Sequence, residues 1–385
     1  MISQVRIENF YSIGDPIVVN FVRGGTKKKD GYATLSKDKK LSLVNGFWGA
    51  NASGKTNVLR AIALMFSCIR GELRGILPNY KVGFNSKNTK LGIDLYLNNN
   101  LYKFNIEISE GKVINESLFM WEEVIYKRDF DGSVIVGKNY EDQLSSFETI
   151  KLDSNVVCFA IFRNFKNLDF VSDFSQNMVY FNLPCENKFG FSPETLMTAQ
   201  AISIDPNWQD SKEITTQVLA LFDPSIEDVD IKIEKDSDNT VLEIDIKHKN
   251  FEKPIRLEYE SRGTQELFNL AYPLINILKN GGLVIYNEIN KSFHPDIQKA
   301  IIDHFKYKNP KNAQIIFSSH EYETIDYLDK FQVNLVEKEN DQSTYFKLSD
   351  TGIRSDLQKA KKVRLGIYGA VPDMVDFNYN LNEVL

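Results

Sequence analysis

Hydrophobic and polar positions alternate in VRIENFYS and again in PIVVNF, with the turn-like IGD between them, and this predicts an opening β-hairpin. A lysine-rich loop follows, then SLVNGFW, a continuous apolar run of the kind a strand buried on both faces carries. In TNVLRAIALMFSCIR the apolar residues at 58, 59, 62, 63 and 66 share one face of a helix. The order is strand, glycine-containing loop, helix. From about 90 to 150 the alternation returns in KLGIDLYL, LYKFNIEI and SLFMWEEVIYKRDF, separated by NNN, SEGK and DGS, which predicts a β-rich section. Residues 155–225 read as helical and irregular, with ETLMTAQAISI and EITTQVLALF as helices, and VDIKIEK and TVLEIDIKHK form a second short β section. The final third alternates again: TQELFNLAYPLINILKN as helix, GGLVIYNEI as strand, DIQKAIIDHFKY as helix, AQIIFSSH as strand. Strands alternating with helices predict an α/β fold with a parallel sheet, and no internal repeat or sustained heptad occurs.

With 385 residues, 42% of them hydrophobic and 25% charged, the chain can bury a sizeable core. Its longest apolar runs, such as VVCFAIF, fall far short of the ~20 residues that span a bilayer, and MISQVRIENF has no signal-peptide core, so the expected location is cytoplasmic, with no membrane partner. Cys68, Cys158 and Cys185 show no motif spacing and read as small buried hydrophobes. The net charge of −6 argues against a chain that coats nucleic acid by bulk attraction. Lysines nevertheless cluster in GGTKKKDGYATLSKDKK (24–40) and QKAKKVR (358–364). Two readings stay open for them, solvated surface or phosphate contact.

Gly49-Ala50-Asn51-Ala52-Ser53-Gly54-Lys55-Thr56 fits G-x-x-x-x-G-K-[ST], with Asn57 next. Glycines let successive N–H groups curl toward a phosphate, the helix N-terminus adds its dipole, Lys55 can reach the β/γ oxygens, and the Thr56 hydroxyl can face Mg²⁺. The strand before and the helix after are the context this motif needs, so the loop reads as a nucleotide site. Aromatic residues at 10, 11, 47 and 48 lie close to it; they read as core, with packing on a base as the second reading.

Three later segments carry a family resemblance. Glu260-Ser261-Arg262-Gly263-Thr264-Gln265-Glu266-Leu267 resembles the ABC signature in the S-x-G-T form of the SMC, RecF and OLD-type ATPases; standing alone it also reads as a helix start capped by Ser261. The run from Gly282 to Pro295, GLVIYNEINKSFHP, is similar to that group's Walker B strand and D-loop, and Ile315 to Glu321 to its strand ending in a switch histidine. The ending Arg364-Leu365-Gly366-Ile367-Tyr368-Gly369-Ala370-Val371-Pro372 resembles that of the RloA/AbiLi-type AAA ATPases of bacterial abortive-infection systems, as IENFYSI does their opening strand.

The resemblance implies a P-loop NTPase with an ABC-type ATPase head, a mixed sheet flanked by helices, and a β-rich and helical insertion between Walker A and signature. The expected division is 1–86 and 251–385 as the two parts of the head and 87–250 as the insertion. It implies ATP and Mg²⁺ as cofactors and two heads sandwiching nucleotide, with Ser261 and Gly263 of one subunit meeting the γ-phosphate on the other. His320, 32 residues after Glu288, would sense that phosphate, and Glu288 would orient the attacking water. By itself His320 is a strand-end histidine, and His294 before Pro295 is a turn residue.

The sequence departs from the family pattern at Asn287, where an aspartate normally holds the Mg²⁺ shell, and at Asn290, the D-loop acid. An asparagine keeps the shape and loses the charge, so ATP binding with slow hydrolysis is expected. The 204 residues between Thr56 and Ser261 lack heptads, which excludes SMC-type arms, and the 65 after His320 are too few for an OLD-type nuclease domain. The expected role is a regulatory or scaffold ATPase of an anti-phage system. It would assemble as a homodimer or larger homo-oligomer, respond to a phage trigger protein or DNA, and control an effector such as a nuclease or toxin in trans. The alternative is a RecF-like repair ATPase that clamps DNA.

Overall fold

A computed structural model describes residues 1–25, 29–70, 83–162, 164, 168–175, 178–182, 198–199, 208–236, 239–353 and 358–371. Two large sheets dominate it. The first has six strands in the order Met178–Asn182, Gly282–Tyr286, Gln314–Ser318, Val44–Trp48, Val333–Glu339 and Gln342–Lys347. The first five run parallel and the last is antiparallel. Their burial patterns explain the unbroken apolar runs, since Val44–Trp48 and Gln314–Ser318 are buried at every position. The second sheet has seven antiparallel strands, in which the opening hairpin (Ile2–Glu8 with Ile17–Asn20) joins Thr89–Leu97 and the strands that follow it as far as Val134–Val136. Sheet pairing therefore crosses the boundary expected at residues 86 and 87, because Ile2–Glu8 is hydrogen-bonded to Thr89–Leu97.

The helix Lys55–Arg70 lies between the two sheets, with Val58, Leu59, Ile62 and Met65 fully buried. At about 25 cal/mol per Å² of apolar surface, each such side chain contributes roughly 1.5–3 kcal/mol, which anchors the phosphate loop at the helix start. The long helix Arg262–Asn280 packs its apolar face on the parallel sheet, capped by the Ser261 hydroxyl, which accepts a hydrogen bond from the Thr264 N–H at 3.2 Å.

Three features differ from the sequence reading. SLFMWEEVIYKRDF is two strands, Lys112–Met120 and Glu123–Arg128, because Trp121 takes a left-handed backbone (φ +55°) and reverses the chain. Met178–Asn182, inside a stretch read as helical and irregular, is the edge of the parallel sheet. The antiparallel pair Val333–Glu339 and Gln342–Lys347, left without an assignment, completes the other edge. Most of the expected helix ETLMTAQAISI, Cys185 and Pro372 lie outside the described residues. Cys68 and Cys158 are buried and unbridged. Among the described residues no helix is long and apolar enough to cross a membrane, and no group of three or more His, Cys, Asp or Glu could hold a metal ion.

Candidate functional site

The loop Gly49–Gly54 leaves the C-terminal end of Val44–Trp48, at the centre of the parallel sheet, and opens on a cavity of about 770 Å³. Gly49, Asn51, Ala52, Gly54, Lys55, Thr56 and Asn57 line it, together with Glu288, Asn290, Lys291 and His320. Parallel strands bring these segments together although some 230 residues separate Thr56 from Asn287. Gly54 has φ +109°, and a Cβ there would sit 2.1 Å from the Ser343 Oγ, so only glycine fits.

The base of the loop is fixed by a relay of hydroxyls. Asn57 Nδ2 donates to Ser12 Oγ at 2.8 Å, and Ser343 Oγ donates to the Ser53 carbonyl at 2.6 Å. The proton between Ser12 and Ser343, 2.6 Å apart, must therefore come from Ser12. The Lys55 ammonium donates to the Gly49 and Ala50 carbonyls at 2.9 and 2.7 Å. Burial pushes its pKa down to about 8, against the pull of Glu288. Among the described residues it pairs with no carboxylate, and because the Gly54 carbonyl accepts from the Asn57 and Val58 N–H groups at 2.9 and 3.2 Å, the N–H groups of Lys55 and Thr56 are the ones in the first helical turn left without an intrahelical acceptor. The Ser53 hydroxyl is buried without a partner. Ser53 does not line the cavity, but a cationic amine and a helix N-terminus at one cavity fit the phosphates of a nucleotide.

Asn287 immediately follows the strand Gly282–Tyr286 and is buried beside Thr56, and its Oδ1 accepts from two hydroxyls, Thr56 at 2.9 Å and Ser318 at 3.0 Å. Ser318 Oγ in turn accepts from the Glu288 N–H at 2.8 Å. Because Thr56 donates to Asn287, its lone pairs remain for a cation, so Thr56 fits Mg²⁺, while Asn287 offers a neutral oxygen already shared by two donors.

Glu288 stands in the left-handed region (φ 55°, ψ 55°), which costs a non-glycine residue on the order of 1 kcal/mol. Its carboxylate accepts from His320 Nε2 at 3.1 Å and pairs with Lys291. Burial raises its pKa, but the contacts with Lys291 and His320 outweigh this and hold it below the usual carboxylate value. Burial, assisted by Lys55, lowers the His320 pKa, so the neutral imidazole is favoured near pH 7, with its Nε2–H donating a hydrogen bond to the Glu288 carboxylate. Asn290 Oδ1 accepts from the His320 N–H at 3.0 Å and from Ser319 Oγ at 3.3 Å, tying the D-loop to the histidine strand.

Ser261 and Gly263 do not line this cavity; Gly263 sits where a Cβ would meet the Ser292 carbonyl at 3.4 Å, beside the D-loop. Phe10, Phe47 and Trp48 are buried in the core, and Tyr322 faces the cavity instead. Behind Tyr322 lies the C-terminal turn, where the Ala370 carbonyl accepts from the Tyr322 hydroxyl at 3.3 Å and the Ala370 N–H donates to Glu337. His294 caps the helix Pro295–Tyr307. Sequence reasoning missed Ser12, Ser343, Ser318 and Lys291; only Lys291, adjacent to the Walker B segment, left a local signal.

The model of the family described as "AAA domain, putative AbiEii toxin, Type IV TA system" matches residues 44–131 and 206–326, more than half of the chain. An Smc head domain with a coiled coil and joint derived from Pyrococcus yayanosii matches over 94% of this chain and 98% of its own at 12% identity, with a TM-score of 0.50. An Smc head bound to the C-winged helix domain of ScpA covers 94% and 99% at 15% identity (TM-score 0.49), and the SMC head domain from Thermotoga maritima 90% and 98% at 13% (TM-score 0.42). No curated protein matches significantly.

Proposed function

Since the chain belongs to this AbiEii-type AAA family of ABC-class, SMC-like P-loop ATPases, we propose that it is an ATP-binding, slowly hydrolysing regulatory or scaffold ATPase. On this reading it assembles through its heads and controls an effector in trans, in an anti-phage setting. Bound Mg-ATP would supply the phosphoanhydride bond and the divalent charge. Lys55 and the loop N–H groups hold the phosphates, and Thr56 presents its hydroxyl to the cation. Glu288, kept ionised by Lys291 and His320, is the group that would orient water, and neutral His320 reports on it by one hydrogen bond.

The observation that carries the reading is the division of the site. One chain gathers loop, Glu288 and His320 around the cavity, while Ser261 and Gly263 lie outside it. A second chain is the natural source of that missing half. Asn287 supports slow hydrolysis, since its neutral oxygen cannot balance a divalent cation as a carboxylate does. The partner, trigger and effector are inferred from the family alone.

Native mass spectrometry of the wild type and Ser261→Arg, with and without Mg-ATP, tests this. ATP should convert the wild type to a dimer or larger assembly and leave Ser261→Arg in its nucleotide-free state. Equal assembly of both would overturn the sandwiched-head reading. Assembly only when DNA is added with ATP would favour the RecF-like alternative.

A further inference from the structure

A second cavity, of about 470 Å³, lies at the opposite end of the parallel sheet from the phosphate loop. One wall is Asp329–Gln332, which immediately precedes the strand Val333–Glu339; that strand runs parallel to Val44–Trp48, whose far end launches the loop. Another wall is the last turn of the helix Pro295–Tyr307, which begins beside the D-loop and runs away from it. Two segments noted for lysine content meet here, Lys29 from the 24–40 cluster and Lys359 from 358–364, about 330 positions apart.

Five cationic side chains line the cavity against two acidic ones, in a chain whose net charge is −6. Arg23 and Lys29 share Asp329, with Arg23 Nη1 at 3.4 Å. The other three form no ion pair among the described residues. Lys306 donates to the Tyr327 carbonyl at 2.7 Å, Lys330 to that of Ile353 at 2.8 Å and Lys359 to that of Leu328 at 2.7 Å. Those carbonyls orient the ammonium groups without neutralising them, and the cations depress one another: burial first, then Arg23, Lys359, Lys306 and Lys330, lowers the Lys29 pKa. Asp326, whose carboxylate accepts from the Ala360 N–H, acts on Lys359, yet the cations remain in excess, and a concave, convergent cluster with excess positive charge binds small polyanions much better than it binds monovalent ones. The exposed Tyr307 ring at the rim adds a flat apolar face.

We propose that this cavity is a second anion site, distinct from the phosphate loop, which takes a short chain of phosphates, either free oligophosphate or the tail of a nucleoside polyphosphate. Its small volume and the acidic balance of the rest of the chain favour a compact ligand over a nucleic-acid backbone. The site does not depend on the proposed ATPase role.

The test is calorimetric titration of the full chain carrying Lys55→Ala, which disables the phosphate loop, with inorganic tripolyphosphate and with ATP. Adding Lys306→Gln with Lys330→Gln should weaken tripolyphosphate binding at least about tenfold, two charges at contact distance being worth more than that. Lys306→Arg with Lys330→Arg should restore it, which separates loss of charge from misfolding. Lys361→Gln with Lys362→Gln, the same charge change on the neighbouring helix outside the cavity, should leave it unchanged. Tighter binding of ATP than of tripolyphosphate would make the ligand a nucleotide; equal binding would make it free oligophosphate. No binding in the Lys55→Ala chain, or equal loss in the Lys361/Lys362 pair, overturns the site. A single-stranded oligonucleotide outcompeting both ligands overturns the small-ligand assignment.

Discussion

The segment Gly49–Asn57 and the segment Asn287–Lys291 face each other across one cavity, yet they are built differently. The first carries every residue type that phosphate binding needs, held by a serine relay and by Lys55 bonds to its own loop. In the second, Asn287 and Asn290 stand where the family pattern has acids, and Lys291 clasps the one remaining carboxylate, Glu288. On the proposed reading the first segment binds nucleotide and the second turns it over slowly, because phosphoryl transfer depends on the charge balance around the metal more steeply than ground-state binding does.

The comparison breaks most directly at Lys55. Lys55→Ala removes the only cation held in the loop, and nucleotide affinity should fall about 10²-fold or more, as for other fully placed charge-assisted contacts to phosphate. Fluorescent-nucleotide titration measures it. Affinity within a few-fold of wild type would mean that the loop amides alone hold the ligand, and the two halves would no longer contrast.

Asn287→Asp sharpens the same contrast from the other side. An aspartate can accept the same hydroxyls of Thr56 and Ser318, so the fold is kept while a negative charge appears next to the cation site. Mg²⁺ affinity and steady-state phosphate release should each rise roughly tenfold, the effect of about 1.4 kcal/mol of added electrostatic stabilisation. A wild-type rate equal to that of ordinary ABC-class heads, or no gain in the variant, would show that Asn287 does not limit turnover.

Local motifs were legible in the sequence because their geometry is local. Strand, glycine loop and helix define the Lys55 and Thr56 positions without reference to the rest of the chain, and Ser261 reads as a cap from its neighbours alone. The Asn287–Ser318 contact depends on two parallel strands pairing in register, Tyr286 opposite Phe317, which no alternation pattern fixes. Met178–Asn182 was obscured because it is a short edge strand defined by its parallel pairing with Gly282–Tyr286, about 100 positions away, and not by an alternation of its own. Lys29 and Lys359 each read in sequence as solvated surface or phosphate contact; only the fold reveals them as neighbours.

The smallest effect follows from the burial that readies Lys55. With a pKa near 8 in the free protein, Lys55 is charged at pH 7.5 and largely neutral at pH 9. Phosphate binding favours the charged form and raises that pKa, so binding takes up a proton between pH about 8 and the higher value of the complex. Affinity must then fall as pH rises. Between pH 7.5 and 8.5, where the terminal phosphate is already fully ionised, the loss should be about threefold. Lys55→Arg stays charged throughout and should flatten the curve. A wild-type affinity that is constant or rising over this interval would mean that Lys55 is fully charged in the free loop, and the binding half would then be poised by its backbone and not by a desolvated amine.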